Sequence, residues 1–283
     1  MATTIAQRPG VAQLLAEPTW ELIPLKNARD QAGHLQPGCT VSVTASPAKG
    51  LDATLDLAIE LEQAGHRAIP HLSARMVHDE HHLRRLLGRM VDAGIDRTFI
   101  VGGDEEIPGE YPDALSLLQA MADTGILPKH VGIGCYPQGH PFIPDERLLA
   151  ALQAKARYAS YMTSQLCFDP KAIASWLAAR RAEGIEVPLR IGIPGVAEIP
   201  KLISISARIG VRDASRFILK NKRFVGQLLR SGGIYRPTSL VEDLGPLAAD
   251  AAANVIGVHV YTFNNVGATV DWYRDVAPAL ATA

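Results

Sequence analysis

Residues 67–103, RAIPHLSARMVHDEHHLRRLLGRMVDAGIDRTFIVGG, decide the fold. The stretch opens on RAIPHLS (67–73) and closes on TFIVGG (98–103), two short runs that read as β-strands. Between them HDEHH (78–82) sits where a helix begins. Gly94 sits where that helix ends, because the residue just past a helix often needs the positive φ that glycine takes without penalty. A strand, a helix and a second strand make one βα repeat.

The same beat runs outward in both directions. ELIPL (21–25), TVSVTA (40–45), VGIGCY (131–136), YMTSQLCF (161–168), LRIGIPG (189–195) and VHVYTF (258–263) are the other strand candidates, eight in all. Amphipathic segments lie between most of them, such as Leu51, Leu55, Ala58 and Ile59 before Gly65, or Leu148, Leu149, Leu152 and Ala156. Gly65 and Gly184 stop helices as Gly94 does. The expected class is α/β, a (β/α)8 TIM barrel; an open doubly wound sheet is the alternative. The rhythm breaks once, over 196–256, where KLISISARIG, DASRFILKN and EDLGPLAADAAANVIG predict extra helices between strands seven and eight. With no linker, repeat or low-complexity stretch, residues 1–283 are expected to form a single domain, with 1–18 as an N-terminal arm whose placement is open.

Of the 283 residues, 47% are hydrophobic and 20% charged, enough to bury a sizeable core, and the net charge of -1 points to neither nucleic acid nor an anionic membrane. The first eighteen residues lack the apolar core of a signal peptide. No long uncharged apolar run follows, so a soluble cytoplasmic protein is expected. Cys39, Cys135 and Cys167 lie far apart without a Cys-x-x-Cys spacing and read as ordinary buried thiols. Leu and Ile on the helices of 196–256 serve equally as core or as a homo-oligomer interface.

Active sites of parallel barrels form at the carboxyl ends of the strands. The residues to weigh are therefore Glu21, Thr44, His71 with Ser73, Asp104, Tyr136 with His140, Gln165, Gly195, and Tyr261 with Asn264. Most have plain readings: Thr44 and Ser73 bond to backbone, His71 is a satisfied core histidine, Tyr136 packs, and Asp104 in GGDEEIPG is a turn residue. Glu21 resists one. A carboxylate buried without a partner has a raised pKa, the condition a general acid needs near neutral pH; an ion pair with Lys26 or Arg67 is the alternative. HDEHH reads as a solvated helix start and no metal site is predicted. No Gly-x-Gly-x-x-Gly follows a strand, and GGDEEIPG lacks the Lys and Ser or Thr of a phosphate loop.

The strand-end segments, taken together and in order, resemble the methylenetetrahydrofolate reductase family from about residue 20 to 270. WELIP is similar to that family's Phe-Glu-Phe-Phe-Pro, IPHLS to Pro-His-Leu-Thr, GGDEEIPG to Arg-Gly-Asp-x-Pro, CYPQGHP to Tyr-Pro-x-x-His-Pro, SQLCFD to Thr-Gln-x-x-Phe-Asp, and HVYTFN to His-Phe-Tyr-Thr-Leu-Asn; VSVT and GIPG also match. The resemblance implies reduction of 5,10-methylenetetrahydrofolate to 5-methyltetrahydrofolate with NADH or NADPH, in one-carbon metabolism and methionine biosynthesis. It implies Glu21 as the general acid that opens the five-membered ring at N10, Asp104 as the catalytic carboxylate on the pterin, and Gln165 and Tyr261 beside the folate. Thr44, His71, Gly102, Gly103, Tyr136, His140 and Gln165 match the cofactor side.

The departures fall on the flavin positions. The family's arginine before Gly-Asp is Gly102 here. The Asp, Asn and Arg-Lys that hold the ribityl chain and phosphates of FAD fall on Arg147, Ala150, Gln153 and Ala154, with Lys155 one place off. Loss of charged partners weakens a pyrophosphate site, since charge-assisted hydrogen bonds are roughly twice as strong as neutral ones. The expectation is a flavin-independent reductase in which the nicotinamide passes hydride directly to a 5-iminium cation. A ping-pong FAD enzyme is one alternative; a non-catalytic folate-binding or methyl-carrier subunit is another, disfavoured because such a module needs no buried acid.

Overall fold

The structure, a computed structural model, describes residues 5–208 and 233–281. Seven strands follow in chain order, β1 (Thr19–Leu22), β2 (Thr40–Val43), β3 (Arg67–Ser73), β4 (Arg97–Val101), β5 (His130–Cys135), β6 (Tyr161–Ser164) and β7 (Leu189–Pro194). A short antiparallel pair, β8 (Ala197–Glu198) with β9 (Ile234–Tyr235), comes next, then β10 (Val255–Tyr261). All but that pair form one closed parallel barrel in the order β1-β10-β7-β6-β5-β4-β3-β2, the (β/α)8 architecture.

Period-two alternation sorts the strand side chains. Trp20 and Leu22, Val41 and Val43, and Ala68 and Leu72 join the main hydrophobic core, while Glu21, Ser42 and His71 alternate with them. Bulky interior side chains are accommodated by glycine. A Cβ at Gly132 would lie 2.4 Å from the Tyr161 ring and 2.6 Å from that of Phe99, and one at Gly192 would lie 2.2 Å from Ser164 O.

Helix starts and stops follow the expected chemistry. Asp79 caps the helix Glu80–Asp92 by accepting from His82 N at 2.7 Å, which makes HDEHH a helix start. Gly65, Gly94 and Gly184 follow helices Gly50–Gln63, Glu80–Asp92 and Pro170–Ala182 with φ between 75° and 87°.

Several strand limits differ from the sequence reading. The sixth strand stops at Ser164 rather than Phe168: Leu166 and Phe168 leave the sheet for a second apolar cluster with Leu202, Tyr235 and Phe263. The last strand starts three residues earlier than read, because Gly257 (φ 137°) sits at a register shift that masks its beginning. Of the three helical segments expected over 196–256, Ile199–Arg208 and Thr238–Ala249 are present. DASRFILKN lies outside the described residues.

The N-terminal arm covers the amino end of the barrel. In the helix Val11–Ala16, Val11, Leu14 and Leu15 are fully buried, Gln13 Nε2 donates to Val255 O at 2.8 Å, and Tyr273 OH donates to Leu15 O at 2.8 Å. Gly10 (φ 74°) passes so close to the helix Thr238–Ala249 that a Cβ would fall 1.9 Å from Gly245 O. Cys135 and Cys167 are buried, whereas Cys39 is half-buried. Among the described residues no helix is long and apolar enough to cross a membrane.

Candidate active site

β1 and β10 close the barrel with Thr19 opposite His259. Two residues further along β1, Glu21 is 7% exposed, and its Oε2 lies 3.3 Å from His259 Nε2. Neither partner weighed from sequence holds it: Arg67 faces Glu17, at 3.9 Å, and Lys26 makes no ion pair among the described residues. His259 is the residue that sequence reasoning missed. It stands inside the HVYTFN segment, but its partner is 238 positions away, so only ring closure brings the two together.

A second histidine lies alongside. His71 Nε2 meets Ser42 Oγ at 2.5 Å, and its ring is 4.7 Å from that of Phe99. Burial first, then the neighbouring His259, pushes the His71 pKa down to about 3, so this imidazole is neutral near pH 7. The plain reading of His71 as a satisfied core histidine describes its contacts. Tyr261 completes the group: its ring is 4.8 Å from His259 and its hydroxyl donates to Ser164 O at 3.0 Å. Burial, then the Glu21 carboxyl, drives that phenol far above its ordinary value.

The acid is held from its backbone. Thr262 Oγ1 donates to Glu21 O at 2.5 Å. Asn264 clamps the next turn, accepting from Ile23 N at 2.8 Å and donating to Ile23 O at 2.9 Å. Asn264 and Phe263 both sit at φ 53°, a left-handed backbone uncommon outside glycine that this double clamp sustains.

The remaining expected residues ring the mouth. Asp104 is exposed in the loop after β4 and forms no hydrogen bond or ion pair among the described residues. Before it Gly103 (φ 94°) packs on Ser73, where a Cβ would fall 1.9 Å from the hydroxyl. Gly102 is open, with nothing within 4 Å of a Cβ placed there. Tyr136 meets His140 edge to face at 5.3 Å, and burial, Cys135 and Asp104 raise its pKa. The Gln165 side chain folds back to accept from Leu166 N at 2.9 Å, and Thr44 is half-buried, its carbonyl accepting from Thr54 Oγ1 at 3.0 Å. Glu21, His259, His71 and Tyr261 thus form one cluster, while Asp104, Tyr136 and His140 stand on the β4 and β5 loops.

The positions that the resemblance assigns to FAD lie on the helix Asp145–Ala156. Arg147, Ala150 and Gln153 are exposed and Ala154 is half-buried. Lys155 faces a cavity of about 560 Å³ beside Tyr136, Gln138, Trp176 and Arg180. Burial lowers its pKa, Arg180 is already engaged by Glu183 at 2.6 and 2.7 Å, and Asp145 and Glu146 also line the cavity. One desolvated lysine set against two carboxylates does not fit a pyrophosphate in the manner the resemblance implies.

A family model described as methylenetetrahydrofolate reductase matches residues 24–276. The chain belongs to the methylenetetrahydrofolate reductase family. Membership makes it an oxidoreductase acting on methylenetetrahydrofolate, in a family that uses a nicotinamide, a flavin or both. Solved structures similar to this reductase-family chain are more distant. One is 2,3-dimethylmalate lyase, a PEP mutase/isocitrate lyase superfamily member (10% identity, TM-score 0.44, covering 78% of this chain and 88% of that chain). Another is a protein described as a lyase/mutase from Burkholderia cenocepacia J2315 (16% identity, TM-score 0.48, covering 99% of this chain and 83% of that one). Neither bears on the chemistry of the reductase site.

Proposed function

We propose that this protein reduces 5,10-methylenetetrahydrofolate to 5-methyltetrahydrofolate by direct hydride transfer from NADH or NADPH, without a flavin. The observation that carries the reading is the buried Glu21–His259 pair at the closure of the barrel, 3.3 Å apart.

Glu21 protonates N10 as the bond between N10 and the bridging methylene breaks. The electron pair on N5 then forms the iminium double bond to the exocyclic carbon. The reduced nicotinamide, when bound, supplies hydride from C4 to that carbon, giving the methyl group and the oxidised nucleotide. The proton lost by Glu21 is restored from solvent, with His259 the group in contact with its carboxyl. Excluding bulk water from this step favours proton donation to nitrogen, and burial of both partners supports that.

Asp104, unpaired at the rim, holds the amino-pyrimidine edge of the pterin and offsets the charge that develops on N5. Tyr261 offers its ring to the folate, since its hydroxyl is occupied by Ser164. Thr44, His71, Gly102, Gly103, Tyr136, His140 and Gln165 line the space left for the nicotinamide. Holding two carbons in near-attack geometry is all that hydride transfer demands of the protein.

The test is the absorbance spectrum of the purified protein, followed by NADH oxidation with methylenetetrahydrofolate and no added flavin. A colourless protein that oxidises NADH only when folate is present supports direct transfer. A yellow protein, or one active only after FAD is added, returns the reaction to a flavoenzyme.

A further inference from the structure

The cavity of about 560 Å³ that does not suit a pyrophosphate is walled by the helices Asp145–Ala156 and Pro170–Ala182 and by the end of β5. Its lining is mixed: Leu149, Leu152 and Trp176 give apolar surface, while Gln138, Asp145 and Glu146 are polar. Of its two cations, Arg180 is engaged by both carboxylate oxygens of Glu183 and lies 5.5 Å over the Trp176 ring. Lys155 is not engaged. Its amine forms no hydrogen bond or ion pair among the described residues. Unlike the partnerless Arg67 Nε and Arg181 Nε, that amine is not sealed off by surrounding atoms, so Nζ is open on the side chain that lines the cavity.

Burial lowers the pKa of Lys155, against the neighbouring Cys135 thiol and Asp113 carboxylate, which raise it. Asp113 is itself committed to capping the helix Ala114–Asp123, accepting from Ser116 N at 2.9 Å. A lysine in that setting is a better nucleophile than an exposed one, because burial favours the uncharged amine and only that form has a lone pair to give. The walls select its electrophile. Asp145 and Glu146, exposed at the rim, disfavour an anion, and the volume accepts a small organic molecule.

We propose that Lys155 is a covalent attachment site for a small uncharged aldehyde, held as an imine with its body against Leu152 and Trp176. The Nζ lone pair adds to the carbonyl carbon, the carbonyl oxygen takes up both amine protons and departs as water, and an Nζ=C double bond remains. No oxidant or reductant is consumed. The site does not depend on how hydride reaches the folate.

The test is reductive labelling of the full chain with benzaldehyde and sodium cyanoborohydride at neutral pH, read by peptide mass spectrometry as benzylated lysine. Lys155 is expected to label at least about tenfold faster than the exposed Lys26, Lys49, Lys129 and Lys171, since a cavity that holds the aldehyde beside the amine raises its effective concentration. Ala151→Trp, at an exposed position in the cavity wall, should bring Lys155 down to the rate of those lysines or below without altering theirs. Labelling spread evenly over the lysines, Lys155 left unlabelled, or Lys155 labelling unchanged in Ala151→Trp would overturn the proposal.

Discussion

Glu21 Oε2 and His259 Nε2 meet at 3.3 Å across the seam where β1 and β10 close the barrel. A carboxyl and an imidazole from opposite ends of the chain become one buried pair only when the eighth strand completes the ring. Glu21→Gln is isosteric and should keep the fold while turnover falls by about 10²-fold or more, the usual range for a lost general acid. The check is steady-state NADH oxidation beside a thermal melt, and undiminished turnover would remove Glu21 from the mechanism. His259→Gln should lower turnover at an unchanged melting temperature, whereas a purely structural role would lower the melting temperature as well.

Asp104 carries the second test. Asp104→Asn is expected to raise the KM for folate and slow the reductive step while leaving nucleotide binding alone, because the exposed carboxylate has no intramolecular partner to lose. Separate KM values for folate and NADH decide it; a normal folate response contradicts the assignment.

The Asn264 amide bridges both backbone groups of Ile23. Asn264→Ala removes both hydrogen bonds to Ile23, a third donated to Asn27 Oδ1 at 3.1 Å, and the support for a left-handed backbone, at about 1–3 kcal/mol. Urea unfolding should show that loss, with turnover falling in parallel as the turn after Glu21 loosens. A variant as stable as the parent would mean that the turn is held elsewhere.

His71 makes stability depend on pH in a defined direction. Its folded pKa, about 3, lies below the unfolded value of about 6.5, so the unfolded chain binds more protons as pH falls. Stability is complete above about pH 6.5 and declines toward pH 3, by about 2 kcal/mol at pH 5 from this group. His71→Gln should flatten the acid limb of melting temperature between pH 7 and 5. Burial also lowers His66 and His82, so a residual slope remains.

The empty space at Gly102 bears on the cofactor. Because a Cβ there meets nothing within 4 Å, Gly102→Arg is sterically admissible. Paired with Ala154→Lys it should raise FAD affinity by about tenfold, the scale of one added charge-assisted contact. Flavin fluorescence quenching measures this, and no gain would show that the shape of the site, as well as its charge, excludes FAD.

Much of this was legible from residues alone. RAIPHLS forms β3 over the residues read, and Gly65, Gly94 and Gly184 stop their helices, because strand composition and positive φ are local properties. The start of β10 was hidden by Gly257, whose bulge breaks the local pattern. The β8–β9 pair was missed because two-residue strands carry no period. Glu21 stood out as an acid in an apolar strand, but its pairing with His259 rather than Lys26 or Arg67 is a property of ring closure. The anchoring of that turn by Asn264 and Thr262 is likewise tertiary.

The central claim is that hydride passes directly from nicotinamide to the folate carbon, and the fate of a deuterium label tests it most directly. With NADH deuterated at the transferring C4 position and no added flavin, the account predicts one deuterium in the methyl group of 5-methyltetrahydrofolate at each turnover, read by mass spectrometry. A methyl group carrying solvent protium instead would show that the hydride paused on an exchangeable carrier, and would contradict direct transfer.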